Sequence, residues 1–303
     1  MRKHSIIQLV AILLISACSV SNAQIKPQPL GEFDFAFLTD IHLMPELHAV
    51  EGFRMAIDTI NKLKPDFVIT GGDQVMDVLD QSYGRCDSLF DLYKTLVDEF
   101  DMPVFNSVGN HEVYGWHRDE EGIEQHPEFG KKMYMKRFGR RYYSFNHKGW
   151  HFIVLDGLYR SDNGHYTGKI DQEQIDWIKT DLEKTSKQTP IAISTHIPFL
   201  TSKTQLNKGA TAPNSASTVI ENNREVLKLF WEYNLKLVLQ GHLHYLEDIH
   251  VNNQIHFITG GAVCGKWWNN KPDDPLEEGF LMLHVRGEEF TWDYVDYGWT
   301  PPL

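Results

Sequence analysis

Short apolar runs alternate with segments of helical spacing along most of this chain. Residues 33–39 read FDFAFLT, an apolar run of the length typical of a buried strand. In residues 47–63 the apolar positions Val50, Phe53 and Ile57 recur at three- and four-residue intervals, which indicates one buried helix face. The same patterns predict strands at 66–70, 103–108, 141–145, 150–155, 190–195 and 235–240, and helices at 88–100, 171–184 and 218–233.

The second half of the chain is richer in strand patterns. Residues 244–260 and 279–296 alternate between polar and apolar positions, as half-buried strands do. Residues 113–140 show no clean period, and we predict a long surface insertion there, while 201–217 is polar and predicted to be a loop. Early strand–helix units followed by a strand-rich half predict an α/β fold, a sandwich of mixed sheets.

The first 23 residues have the pattern of a targeting segment. A basic start precedes an apolar run over 6–15, and small residues follow, as in a secretory signal peptide. Two cleavage sites fit, one after Ala23 and one before Cys18, whose surroundings resemble a lipobox and whose thiol would then be acylated. Both predict export, to the periplasm or to a lipid anchor in a bacterial envelope. A linker over 24–32 and one domain over 33–303 would follow.

Composition narrows the classes of partner. The chain has 29 Lys and Arg against 41 Asp and Glu, a formal net charge of −12, with no long basic run. Sequence-independent nucleic-acid binding needs clustered cations and is therefore excluded, which leaves a small-molecule partner. Membrane contact is expected only through a lipid at Cys18. We expect the other two cysteines, Cys86 and Cys264, to be free buried thiols.

Residues able to bind metals follow five of the predicted strands. Because ligands of α/β proteins bind at the carboxyl ends of strands, these side chains are expected to converge. One such residue would mean little, but five strands ending in this way form a specific pattern. The segments are TDIH with Asp40 and His42, ITGGD with Asp73, VGNHE with Asn110 and His111, ISTH with His196, and LQGHLH with His242 and His244.

The residue types at these positions suit a pair of divalent ions. Carboxylate, amide and imidazole ligands without cysteine favour Mn, Fe, Zn or Co. A bridging carboxylate lets two ions lie about 3.5–4 Å apart, and water between them has a lowered pKa and can attack phosphorus. His111 follows the candidate ligand Asn110 and is therefore placed to protonate a leaving group. Glycines 71, 72, 109 and 241 are expected to allow sharp backbone turns there.

Together these motifs resemble the calcineurin-like metallophosphoesterases, and they span residues 40–244. The resemblance implies a layered αββα sandwich, two mixed β-sheets flanked by helices, and a phosphohydrolase with two metal ions. It implies that His111 is the catalytic acid or stabilises the transition state, and that Asp73 bridges the ions. The implied ligands are Asp40, His42, Asp73 and His244 for the first metal, and Asp73, Asn110, His196 and His242 for the second.

Departures from related subgroups refine this picture. Purple acid phosphatases have a tyrosine three residues after the bridging aspartate, where this chain has Met76. Secreted 5′-nucleotidases have an aspartate three residues after the catalytic histidine, where this chain has Tyr114. The stretch from Asp73 to Asp77 is more similar to cyclic-nucleotide phosphodiesterase members. The carboxylate partner of His111 is left open among Glu112, Asp77 and Asp156.

The substrate is less directly encoded. Because the motifs contain no Lys or Arg, the metals must neutralise most substrate charge, which favours a diester over a doubly charged monoester. Arg85 or Arg160, outside the motifs, would weaken this argument. Trp267 and Trp268 are candidates for stacking on a base or sugar, with core or rim packing as the alternative. The alternatives in function are a phosphomonoesterase of the same family and a non-catalytic, metal-containing binding protein of the envelope.

Overall fold

Two mixed β-sheets stack face to face in the computed structural model, which describes residues 26–269 and 277–300. The strands of the first sheet, in spatial order, are Glu289–Val295 (β13), Phe280–Arg286 (β12), Glu32–Leu38 (β1), Phe67–Thr70 (β2) and Val104–Asn106 (β3). Strands β1, β2 and β3 are parallel, so their carboxyl ends share one edge of the sheet. β12 pairs antiparallel with β1, and β13 antiparallel with β12.

The second sheet has a parallel centre with an antiparallel strand at each edge. Its strands, in spatial order, are Glu247–Val251 (β10), Ile255–Thr259 (β11), Asn234–Gln240 (β9), Pro190–Thr195 (β8), Trp150–Val154 (β5) and Tyr143–His147 (β4). β11, β9, β8 and β5 are parallel, and β10 and β4 run against them. A separate hairpin joins Leu158–Arg160 (β6) to Tyr166–Gly168 (β7).

Helices complete the layers. They are Ala49–Leu63 (α1), Tyr83–Val97 (α2), Lys132–Phe138 (α3), Gln172–Leu182 (α4), Lys203–Lys208 (α5) and Asn223–Lys228 (α6), with single 3₁₀ turns at Asn110–Glu112 and Ile123–Gln125. In α1, Phe53, Ile57 and Ile60 are buried at helical spacing, as the sequence pattern predicts. Together with the sheets, the helices confirm the predicted layered αββα arrangement.

The two faces of β1 belong to different parts of the core. Phe33, Phe35 and Phe37 alternate along the strand and pack between the sheets, against Phe67 and Phe152 among others. Ala36 and Leu38, on the opposite face, belong to a second cluster that lies under the helices. This alternation, which is the two-residue period of a strand, packs both faces of β1 in apolar surroundings.

Several short elements differ from the sequence predictions. The predicted surface insertion 113–140 contains α3 and buries Tyr114, Met133 and Tyr134, so it is partly core. The predicted loop at 201–217 contains α5, and the helix predicted over 218–233 is reduced to α6. The β6–β7 hairpin was not anticipated. The three helices have six or seven residues, about two turns, and the strands of the hairpin have three residues each, so these elements are too short to show a readable period.

Two predictions concern segments and thiols rather than elements. The signal segment and Cys18 lie outside the described residues, so their prediction stays open. Within the described ranges, no helix is long and apolar enough to cross a membrane. Cys86 and Cys264 are both free and buried, which confirms that prediction.

The aromatic core between the sheets predicts a large effect of truncation. We expect Phe152→Ala to lower the free energy of unfolding by about 3–5 kcal/mol, since a buried ring is lost and a cavity remains. Urea denaturation measures the change. Trp231→Ala is the matched control, because this ring is 72% exposed and should change stability by less than about 0.5 kcal/mol. Similar losses in both variants would contradict the assigned core.

Candidate active site

All eight residues proposed for metal binding and catalysis meet at the carboxyl ends of the parallel strands β1, β2, β3, β8 and β9. Asp40 and His42 follow β1, Asp73 follows β2, and the remaining members follow β3, β8 and β9. Backbone hydrogen bonds tie these ends together, from Asp40 N–H to the Gly72 carbonyl and from Gly241 N–H to the His196 carbonyl. Parallel strands from both sheets thus deliver separated segments of sequence to one place.

One group of donors surrounds the side chain of His42. Its Nε2 lies 3.0 Å from Nε2 of His244, 3.7 Å from Asp73 Oδ2 and 3.9 Å from Asp40 Oδ1. His244 Nε2 lies 3.3 Å from the same Asp40 oxygen. Donors of a tetrahedral ion with bonds of about 2.1 Å lie about 3.4 Å apart, so these spacings fit a metal ion. His42 Nδ1 is buried and has no hydrogen-bond partner among the described residues.

A second group surrounds His196 and shares Asp73 with the first. His196 Nε2 is 3.0 Å from Asp73 Oδ2 and 3.0 Å from Asn110 Oδ1, and His242 completes the cluster. His196 Nδ1 donates a hydrogen bond to the Gly71 carbonyl at 2.8 Å. In the neutral ring, Nε2 then carries no proton, and its lone pair is free to bind a metal ion. With the ring neutral, three acceptor atoms meet with no proton between them, so this point must take up either a proton on Nε2 or a metal ion. Asp73 Oδ2 faces both groups, as a ligand shared by two ions would have to do.

Mutual electrostatics explain why these buried groups are tolerated. Burial raises the pKa of Asp73, but His196 and His111 outweigh it and hold that pKa well below its usual value. The pKa of Asp40 is likewise low because His244 outweighs its burial. Burial lowers the pKa of His196, yet Asp73 raises it further, to about 9. Burial and the neighbouring His196 lower the pKa of His242 to about 4. This ring is therefore neutral and offers a lone pair to a metal ion.

Five of the seven predicted ligands have left-handed backbone conformations. The φ angles are 55° at Asp40, 47° at His42, 54° at Asp73, 73° at His242 and 47° at His244. Such conformations cost about 1–2 kcal/mol for each non-glycine residue, and they concentrate at functional sites. Sequence reasoning missed this feature, because side-chain type does not reveal an unfavourable backbone.

The neighbouring glycines act mainly by being small. Of positions 71, 72, 109 and 241, only Gly72 has a positive φ, 94°, so the expectation of sharp turns holds there alone. A Cβ at Gly109 would lie 2.2 Å from both N and Oδ1 of Asp73. At Gly109, therefore, the absence of a side chain allows the bridging carboxylate to approach the backbone closely.

Glu112 organises this corner through the backbone. Its carboxylate accepts N–H bonds from Gly109 at 2.7 Å, Asp73 at 2.9 Å and Val75 at 3.1 Å. Burial and the Asp73 charge raise the pKa of Glu112 to about 8, while the N–H bonds lower it. With its oxygens turned to the backbone in this way, Glu112 joins the segments after β2 and β3.

His111 lies beside both donor groups, and together with His42 and Asp73 it forms a further cluster of possible metal-binding atoms. Its ring meets the ring of His42 edge-on with centroids 4.6 Å apart, and its Nε2 lies 3.9 Å from Asp73 Oδ2. Its Nδ1 lies 4.0 Å from Asp77 Oδ1. Asp156 instead binds Lys131 and Arg141. Of the three carboxylates left open by the sequence, Asp77 is the one facing His111.

The two adjacent tryptophans take different positions. The Trp267 ring lies against the imidazoles, with centroids 4.1 Å from His42 and 4.8 Å from His244. It is 36% exposed and so has a face available to a ligand. Trp268 is buried, and its indole N–H donates to the carbonyls of Ile41 and His42 at 3.0 and 3.1 Å. Stacking on a base or sugar is therefore open to Trp267 but not to Trp268.

Comparison with known families shows where the chain belongs. The model of the calcineurin-like phosphoesterases matches residues 33–246. The chain belongs to this family. As a calcineurin-like phosphoesterase it is a metal-dependent phosphoester hydrolase, which confirms the resemblance in the motifs.

Individual calcineurin-like relatives are distant in sequence. A probable cyclic nucleotide phosphodiesterase of Psychrobacter arcticus is 22% identical over 244 residues, 73% of this chain and 77% of that protein. A dimetal phosphatase from Danio rerio is 13% identical, with a TM-score of 0.65 over 90% of this chain and 98% of its own. GAP50, the anchor in the inner membrane complex of Plasmodium, is 14% identical, with a TM-score of 0.54 over 88% and 85%. These structures show the shared fold.

The close approach at Gly109 predicts a metal-binding defect. We expect Gly109→Ala to displace the Asp73 carboxylate and weaken Mn²⁺ binding about 10–100-fold, as changes behind metal ligands commonly do. Titration of metal-depleted protein with Mn²⁺ measures this affinity. Gly84→Ala is the control, because a Cβ there meets nothing within 4 Å. If Gly109→Ala bound Mn²⁺ as tightly as the wild type, the idea that Asp73 is a ligand shared by the two donor groups would be contradicted.

Proposed function

We propose that this chain is an exported hydrolase of phosphodiesters that uses two divalent ions. The observation that carries the proposal is the pair of donor groups sharing Asp73, with His111 beside them. When bound, the ions would neutralise phosphoryl oxygens and lower the pKa of a water between them. Manganese, iron, zinc and cobalt all suit these donors, so the identity of the metal is not specified.

The chain's own residues would divide the remaining work. Asp40, His42 and His244 would hold one ion, Asn110, His196 and His242 the other, and Asp73 would contact both. Substrate bound at this edge would place its leaving oxygen near His111, which would donate the proton that the departing alcohol needs. Asp77, facing Nδ1 of the same ring, would favour the tautomer or the charge that this step requires.

The preference for a diester rests on the distribution of cations and aromatic rings. Arg85 pairs with Glu46 at 2.6 Å and Arg160 with Glu124 at 2.7 Å, so both arginines are engaged with acidic residues. A second substrate charge would therefore find little compensation from arginine. The exposed face of Trp267 offers an apolar surface to an ester group. The description of the Psychrobacter arcticus relative as a probable cyclic nucleotide phosphodiesterase is consistent with this preference.

Two other functions are kept as alternatives. A monoesterase would use the same metal groups, and the Danio rerio protein of this fold is described as a phosphatase. A non-catalytic binding role is favoured by the description of GAP50 as an anchor. The complete set of donors and the placement of His111 speak for catalysis, because a binding module has no need of a general acid.

The proposed location rests on the sequence of the first 23 residues. Cleavage after Ala23 would release a soluble periplasmic protein, and cleavage before Cys18 would leave a lipid-anchored one. Mass spectrometry of the mature N-terminus distinguishes the two, and retention of the uncleaved segment in the cytoplasm would refute export.

Substrate preference is tested with two nitrophenyl esters. We expect the purified protein, loaded with Mn²⁺, to cleave a bis-nitrophenyl phosphodiester faster than the nitrophenyl monoester, and to lose activity with EDTA. Nitrophenolate release measures both rates. Faster cleavage of the monoester would make the phosphatase alternative correct. Absence of cleavage with any of the four metals would favour the binding role.

The role of His111 is tested by two variants. General acid catalysis contributes about 10²–10⁴-fold, so His111→Ala should lower kcat by that factor while Mn²⁺ affinity changes little. Asp77→Asn should lower kcat less and should shift the pH dependence of kcat. His250→Ala, on the exposed edge strand β10, is the control. Wild-type kcat in folded His111→Ala would remove this residue from the mechanism.

A further inference from the structure

The turn of residues 241–244 carries one predicted ligand for each metal. His242 belongs to the group around His196, and His244 to the group around His42. Both histidines have left-handed backbones, so the turn is unfavourable by itself. Three of its backbone N–H groups donate hydrogen bonds, the first from Gly241 to the His196 carbonyl at 3.0 Å. Leu243 N–H donates to the Gly241 carbonyl at 2.9 Å, and His242 N–H donates to the Asp40 carboxylate at 2.9 Å.

Lys203 reaches this turn from another element. Its Nζ donates to the carbonyl oxygen of Leu243, between the two histidines. Among the described residues, no other donor to that carbonyl is found. The ammonium also lies 5.7 Å from the centroid of the ring of Tyr245, the residue that follows His244 in the sequence. A charged donor thus holds the centre of the turn, in a position that no motif of the sequence indicates.

The start of α5 is itself fixed to the strand that follows the turn. Ser202 donates to Glu247 Oε2 through its backbone N–H at 3.1 Å and through its hydroxyl at 2.7 Å. Glu247 begins β10, three residues after His244. The direction from which Lys203 approaches is therefore set by contacts outside the metal groups.

Burial lowers the pKa of the Lys203 ammonium, while the negative charges of Asp40 and Glu247 oppose that shift.

We propose that Lys203 is a positioning residue, whose bond to the Leu243 carbonyl holds His242 and His244 ready to bind the two metals. The inference rests on the proposed function only in assuming that these imidazoles bind metal. A long side chain that donates to one carbonyl fixes the peptide plane between the two left-handed residues. Without the bond from Lys203, this peptide plane can rotate and the turn can relax. Each imidazole must then be reordered when an ion binds, which lowers the affinity for both ions.

Metal affinity measured without substrate tests the inference. Metal-depleted wild-type, Lys203→Met, Lys203→Arg and Lys208→Met proteins are titrated with Mn²⁺ by calorimetry. We expect about 10–100-fold weaker binding for Lys203→Met, the usual effect of losing a group that supports metal ligands. Lys203→Arg keeps a donor and should recover most of the affinity. Lys208→Met makes the same change at the exposed end of α5 and should bind as the wild type does.

The outcomes separate this inference from the proposed function. Wild-type affinity in Lys203→Met, or equal losses in Lys203→Met and Lys203→Arg, would overturn the role of Lys203. The expected affinities in a protein that cleaves neither ester would support Lys203 while refuting the phosphodiesterase. If the wild-type protein binds none of the four metals manganese, iron, zinc and cobalt, both proposals are overturned. Circular dichroism checks folding. If Lys203→Met is unfolded, Lys203→Leu replaces it, since leucine also lacks a donor and the same loss of affinity is expected.

Discussion

The buried carboxylate of Asp73 is the constraint on which the rest of the site depends. One oxygen faces donors on both sides, His42 and His196, while the other accepts the backbone N–H of His111 at 2.9 Å. Carboxylates with so little water contact need positive charge nearby. The surrounding imidazoles supply it only when protonated, and a protonated imidazole nitrogen is no longer a metal ligand. Protons and metal ions therefore compete for the same small volume at this carboxylate.

The layers of the fold serve this constraint. Two sheets with parallel centres bring strand ends from distant parts of the chain to one edge, and the aromatic core between them keeps those ends in register. Glu112 then joins two of the segments through their N–H groups, and Trp268 holds the carbonyls of a third. The predicted ligands also take part in this framework, since the carboxylates of Asp73 and Asp40 accept the backbone N–H groups of His111 and His242. The carboxylate of Glu112 and the indole of Trp268 support the same segments from behind.

The fold class and the set of converging residues were accessible from the sequence, because both depend on regular patterns. Strand-length apolar runs such as 33–39 and 190–195 are found as strands, and the polar residues after them meet. The supporting groups were not accessible in the same way. Glu112 was one of three candidates for the partner of His111, but its carboxylate accepts backbone N–H groups. Lys203 lies in a stretch that the sequence predicted to be a loop. Roles that depend on contacts between distant segments leave no periodic mark in the chain.

The packing of Trp268 connects helix α1 to the predicted metal ligands. Gly52 of α1 leaves the space that the indole fills, since a Cβ there would lie 2.3 Å from the ring. The same indole fixes the peptide carbonyls at Ile41 and His42. A methyl group added on the buried side of α1 would thus act on a metal ligand through one rigid ring. The effect of a substitution on this site should therefore depend more on whether the residue packs against a group that supports a metal ligand than on its distance from the active site.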